Sequence, residues 1–220
     1  MTLPAIEIET GPQPRASIIW LHGLGADGND FVPIAREIGL PYSVRYVFPH
    51  APLMPVTINN GYVMRAWYDI ACNDLALRED EAGVRASQAA IEKLIAREMA
   101  RGIDASNIVL AGFSQGGAIA LFTALRHPAR LAGAIALSTY LPLPHTLSQE
   151  RSPANLDLPI FMAHGSADPI VPLTLGSASR TALEQAGYTL EWHEYRMSHS
   201  VCAEEIEAIA SWLGKTLKGK

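Results

Sequence analysis

Short apolar runs rich in β-branched residues alternate along the chain with longer segments whose apolar positions recur at helical spacing. The pattern predicts strands at 5–9, 17–21, 44–48, 107–111, 133–137, 160–163 and 189–194. Helices are expected at 30–38, 80–100, 115–126, 173–186 and 203–218. Several strands, such as Ile108-Val109-Leu110-Ala111, are apolar at every position, as strands covered on both faces are. The last helix is the clearest. Ile206, Ile209, Ala210, Leu213 and Leu217 form one stripe, with Glu204, Glu205, Glu207, Ser211 and Lys215 set opposite. Alternation of this kind predicts an α/β fold with a mostly parallel central sheet and helices on both faces. No repeat, low-complexity block or Ser/Gly linker interrupts it, so residues 1–220 read as one domain. The Pro-rich segments 49–55 and 142–153 read as loops.

Composition narrows the classes. The 220 residues carry 17 Lys+Arg against 22 Asp+Glu, a formal charge of −5 without any basic run, which argues against a nucleic-acid partner. A chain that is 49% hydrophobic and 18% charged has enough apolar surface to fold on itself, which argues against disorder. The longest apolar tract, 108–125, is broken by Ser114, Gln115 and glycines. It reads as a buried strand entering a buried helix, not as an integral membrane segment. The N-terminal residues lack the cationic opening and apolar stretch of a secretory signal, so a cytoplasmic location is expected. Cys72 and Cys202 are too few for a disulfide scaffold and read as reduced thiols. No His-x-His or His-Glu-x-x-His spacing occurs, and neither a metal nor another cofactor is expected.

The strongest local signal is Ala111-Gly112-Phe113-Ser114-Gln115-Gly116-Gly117, a Gly-x-Ser-x-Gly pattern between an apolar strand and an apolar helix. That setting is a nucleophile elbow. A serine on so tight a turn needs neighbours without side chains two positions either side, which Gly112 and Gly116 supply. The following helix then points its N-terminal amides at any oxyanion that develops. A serine hydroxyl is a poor nucleophile unaided, so a base and a group to orient it are required. Asp168, after the strand 160–163 and stiffened by Pro169 and Pro172, is the candidate acid. His199, between the last strand and the last helix, is the candidate base. His193 lies within that strand, while His22 and His164 end strands and read as hydrogen-bonding partners of neighbouring loops. His50, His127 and His145 read as loop or helix-end residues. The oxyanion donors are expected to be the Gln115 N–H and, from Leu21-His22-Gly23-Leu24-Gly25, the Leu24 N–H.

Together these residues resemble the carboxylesterase and acyl-protein thioesterase family of α/β hydrolases, also described as the phospholipase/carboxylesterase family. The resemblance runs from about Ser17 to Leu213 through separate blocks: Leu21-His22-Gly23-Leu24-Gly25, Pro49-His50-Ala51-Pro52, Trp67-Tyr68-Asp69, the Ser114 elbow, His164-Gly165-x-x-Asp168 and His199-Ser200. It implies an α/β-hydrolase fold, a cytosolic serine hydrolase without cofactor, and small-molecule acyl esters as substrates. In some members the substrates are thioesters of acylated proteins or lysophospholipids. The family's Gly-Asp-x-Gly is displaced here to Gly25-Ala26-Asp27-Gly28, which resembles the bacterial carboxylesterase branch.

Met54, Val56 and Ile58, with Trp67, Ile70 and Leu75 beyond and Val171 after the acid, are candidates to line an apolar acyl groove. With no material for a lid domain, an open site for short- to medium-chain acyl esters is expected, in a carboxylesterase. Acyl-protein thioesterase or lysophospholipase activity is the alternative, peptidase chemistry is another, and a catalytically silent hydrolase-fold binding protein is the reading from a different class. Apolar residues near the site leave room for a homodimer.

Overall fold

The computed structural model describes residues 2–72 and 79–217. Strands β1 (Ala5–Glu9), β2 (Ala16–Leu21) and β3 (Val44–Pro49) open the chain, with the short helix α1 (Val32–Glu37) between β2 and β3. A hairpin of β4 (Leu53–Val56) and β5 (Tyr62–Arg65) precedes the long helix α2 (Glu81–Ala100). Strands and helices then alternate: β6 (Ile108–Phe113), α3 (Gln115–Arg126), β7 (Gly133–Leu137), α4 (Leu147–Glu150), β8 (Ile160–Gly165), α5 (Leu173–Gln185), β9 (Leu190–Tyr195) and α6 (Ala203–Thr216).

Seven strands form one sheet in the order β1-β3-β2-β6-β7-β8-β9. All neighbours are parallel except β1, which runs antiparallel to β3. Successive side chains of a strand point to opposite faces, so a sheet covered on both sides needs apolar residues at every position. Ile19, Leu21, Leu110 and Met162 face one core with α2, α3 and α5. Ile18, Trp20, Val109 and Phe161 face the other with α1 and α6. The apolar tract 108–125 becomes β6 and α3, and every residue of α3 except Arg126 is buried. Among the described residues no helix is long and apolar enough to cross a membrane.

The chain leaves β2 toward β3 on one side and later returns to β6 on the other. Loops following β2 and β6 therefore part above a shared pair of strands, and such a switch point opens a crevice at the carboxyl ends of the sheet.

Three elements depart from expectation. The 49–55 segment is not all loop, because β4 starts at Leu53 and pairs with β5 from Leu53↔Arg65 to Val56↔Tyr62. The hairpin had a readable signal in Asn60-Gly61, both of which hold positive φ (55° and 74°). The 142–153 segment contains α4 and a preceding 3-10 turn, Pro144–Thr146. In α6 the polar assignment of Glu205 fails: with Ile209 and Trp212 it forms the buried row of that helix. Residues i, i+4 and i+7 share a face, so the row packed against the sheet starts one residue before Ile206. Lys218, where the helix was expected to end, lies outside the described residues.

Candidate active site

Ser114 sits between β6 and α3 with φ 54° and ψ −124°, a conformation that L residues rarely adopt. The glycines around it explain how the chain holds this geometry. A Cβ on Gly112 would collide with the backbone of Gly116, and one on Gly116 with the carbonyls of Leu21 and His22. The turn is thus packed backbone against backbone, with β2 as the wall. Two hydrogen bonds fix it further: Ser114 N–H donates to Leu137 O at 2.8 Å, and Thr139 Oγ1 donates to Ser114 O at 2.6 Å. Thr139 carries no motif that would have singled it out in the sequence.

Asp168 follows β8 and its carboxylate is fully buried. Oδ1 accepts the N–H groups of Ile170 (2.8 Å) and Val171 (2.9 Å), and Oδ2 accepts His199 Nδ1 at 2.6 Å. Since the carboxylate only accepts, the His199 proton lies on Nδ1 and Nε2 presents a lone pair. The His199 ring packs on Phe113, with centroids 4.6 Å apart, which places it beside the serine turn. Gly165 explains the loop's path: a Cβ there would collide with the carbonyls of Met197 and Ser198. His164 supports the same corner, with Nε2 2.8 Å from Val171 O. In this fully buried imidazole Nε2 is the donor to that carbonyl.

Leu24 lies half-buried in the loop after β2, while Gln115 is buried as the first residue of α3. Their amides donate to no acceptor among the described residues. Gln115 contributes a second contact that its motif did not reveal. Its side chain clamps the segment after β5, with Oε1 accepting from Trp67 N at 2.8 Å and Nε2 donating to Tyr68 O at 2.6 Å.

The expected groove residues do not all gather. Met54 and Trp67 border a cavity of about 200 Å³ beside α2, where Gly83 and Ala86 leave room. Trp67 is only 2% exposed, and its indole N–H donates to His22 O at 2.8 Å, so it braces the loop after β2. Ile70 is half-buried against the core, and its carbonyl receives Ile58 N–H. Val171 is buried and belongs to the Asp168 turn, whereas its neighbour Ile170 is 60% exposed. Leu75 lies outside the described residues. The displaced Asp27 caps its own turn, Oδ1 accepting from Asn29 N at 2.7 Å.

Comparison with known proteins adds the lineage. A family model described as Phospholipase/Carboxylesterase matches residues 3–217. Acyl-protein thioesterase 1 of Neurospora crassa is 40% identical over 225 residues, covering 97% of this chain and 92% of that protein. The crystal structure of Arabidopsis thaliana SOBER1 superposes with a TM-score of 0.88 at 33% identity, covering 93% of this chain and all of the other (100%). The Bacillus cereus carboxylesterase, at 21% identity and a TM-score of 0.76, covers 97% of this chain and 94% of its own and shares the fold.

Proposed function

Because the chain belongs to the phospholipase/carboxylesterase family of α/β hydrolases and is a hydrolase of the esterase/thioesterase type, we propose that it cleaves the thioesters of acylated proteins through Ser114, His199 and Asp168. The observation that carries the mechanism is the 2.6 Å bond from His199 Nδ1 to Asp168, which leaves Nε2 as the basic nitrogen beside the Ser114 turn. Thioester chemistry is preferred over the short-chain ester reading because 97% of the chain aligns, at 40% identity, with a protein named acyl-protein thioesterase 1.

The proposed steps are those of serine acyl transfer. Ser114 Oγ attacks the acyl carbonyl as its proton passes to His199 Nε2, and Asp168 stabilises the imidazolium so formed. The negative charge moves to the carbonyl oxygen, which the Leu24 and Gln115 N–H groups receive; such donors act where charge develops. Collapse expels the thiolate, protonated by His199, and leaves an ester on Ser114. Water, deprotonated by the same nitrogen, attacks that ester, and the carboxylic acid departs with Ser114 restored.

Turnover of a long-chain acyl-cysteine peptide set against short-chain oxygen esters tests the substrate assignment. A kcat/KM at least about tenfold higher for the thioester, lost in Ser114→Ala, is expected. A preference of similar size for the short oxygen esters would return the assignment to a carboxylesterase.

A further inference from the structure

The loop 22–28 presents a construction problem. It carries the Leu24 amide, yet Gly23, Gly25 and Gly28 offer no side chains to anchor it. Its middle is pinned by Gly25 N–H donating to Arg65 O at 2.9 Å, but a glycine loop loses more backbone entropy on ordering than any other, so its two ends need support of their own.

Two imidazoles from neighbouring strand ends provide that support. His22 Nε2 accepts the Ala51 N–H at 3.1 Å, so that nitrogen carries no proton. The ring's proton is then on Nδ1, which donates to Gly23 O at 2.7 Å. At the far end of the loop, His50 Nδ1 accepts the Gly28 N–H at 3.1 Å. Ala51 and His50 both lie at the exit of β3, so the two ends of the loop are tied to one place in the sheet. Gly28 is seated against that strand, since a Cβ on it would come within 2.5 Å of Phe48 O. Burial holds the His22 pKa below its ordinary value, in keeping with an acceptor nitrogen.

We infer that His22 and His50 are positioning residues that fix the Leu24 N–H toward Ser114 by holding both ends of the 22–28 loop on β3 as hydrogen-bond acceptors. The inference rests on the proposed oxyanion role of Leu24. The loop abuts the elbow: a Cβ on Gly116 would collide with the His22 carbonyl, which also receives the Trp67 indole N–H. The Pro49-His50-Ala51-Pro52 block thereby gains a task that no step of the chemistry had given it.

The experiment separates geometry from bulk. Asn at position 50 places an acceptor oxygen near the Nδ1 position, and Gln at position 22 places one near Nε2. His50→Ala and His22→Ala should lower kcat by about 10–100-fold with KM held within about threefold, since they misplace a donor felt mainly in the transition state. His50→Asn and His22→Gln should each recover most of that loss. His50 is half-buried at a loop, so its pair carries the test if His22→Ala does not fold. Wild-type kcat in His50→Ala, or an Asn variant no better than the Ala variant in a protein of unchanged melting temperature, would overturn the inference. Ser114→Ala in the same assay keeps the outcomes apart: activity there refutes the proposed chemistry, whereas its loss beside a fully active His50→Ala refutes only the brace.

Discussion

The turn after β8 and the first turn of α6 each bury a carboxylate completely, and they treat it in opposite ways. Three N–H donors face Asp168, two from its own turn and one from His199. Among the described residues no donor meets either oxygen of Glu205 in full hydrogen-bond geometry, and only the Cys202 amide comes near. Burial raises the Glu205 pKa to about 8, and the nearby Cys202 amide offsets only part of that rise. A buried charge is costly unless partners receive it. Depth alone therefore does not make a functional acid; the fold must also supply donors, as it does for Asp168 and, away from the proposed chemistry, for the buried Glu98, which Arg45 and Ser17 meet.

Replacing the supplied acid should have the largest effect. Asp168→Asn keeps the shape but removes the group that holds His199 in its working tautomer. It should cut kcat by on the order of 10⁴-fold with little change in melting temperature. A loss below about tenfold would erase the distinction between the two carboxylates. Next in size is Gly165→Ala, which removes no donor but pushes the Met197–Ser198 backbone, and with it His199, away from β8. A displacement near 1 Å predicts about a 10²-fold fall in kcat. Unchanged kinetics would mean that the loop accommodates the methyl without moving the imidazole.

Glu205→Gln should leave kcat within about twofold and act on stability instead. The folded-state pKa of Glu205, about 8, stands above the ordinary 4.5. The folded protein therefore binds the extra proton between those values, and stability falls as pH rises through the window, levelling above about pH 8. At pH 8 the Gln variant should be more stable than the wild type by about 1–3 kcal/mol, and the difference should shrink toward pH 5. Urea titration at several pH values reads this directly. A pH-independent difference would show that packing, not ionisation, governs the site.

Much of the sheet was legible because strands buried on both faces, such as β7, write themselves as unbroken apolar runs, while the edge strand β1 shows as an alternating one; β1, β7 and α3 fall where the pattern places them. The Glu205 row was not, since a one-residue change of helical phase turns a surface position inward and hydropathy gives no warning when the residue is charged. Ser114, Asp168 and His199 stood out by motif and by position after strands, and the structure places the latter two 2.6 Å apart. His22 was read as a hydrogen-bonding partner of neighbouring loops, which it is, but its particular partner, the His50 contact, Thr139 and the Gln115 side chain could not be read. Their hydrogen bonds join segments up to tens of residues apart and follow from how strands pair, not from any local spacing. Trp67 has a role that its place near the site did not suggest: beside bordering the small cavity with Met54, it commits its N–H to the backbone of His22.

The proposed chemistry passes through an acyl-enzyme on Ser114, and mass spectrometry of the protein quenched during turnover of an acyl thioester tests for it most directly. The wild-type protein is expected to carry one acyl group per chain, mapped to the peptide that contains Ser114 and absent from Ser114→Ala. An adduct on another residue, or wild-type turnover by Ser114→Ala, would contradict it.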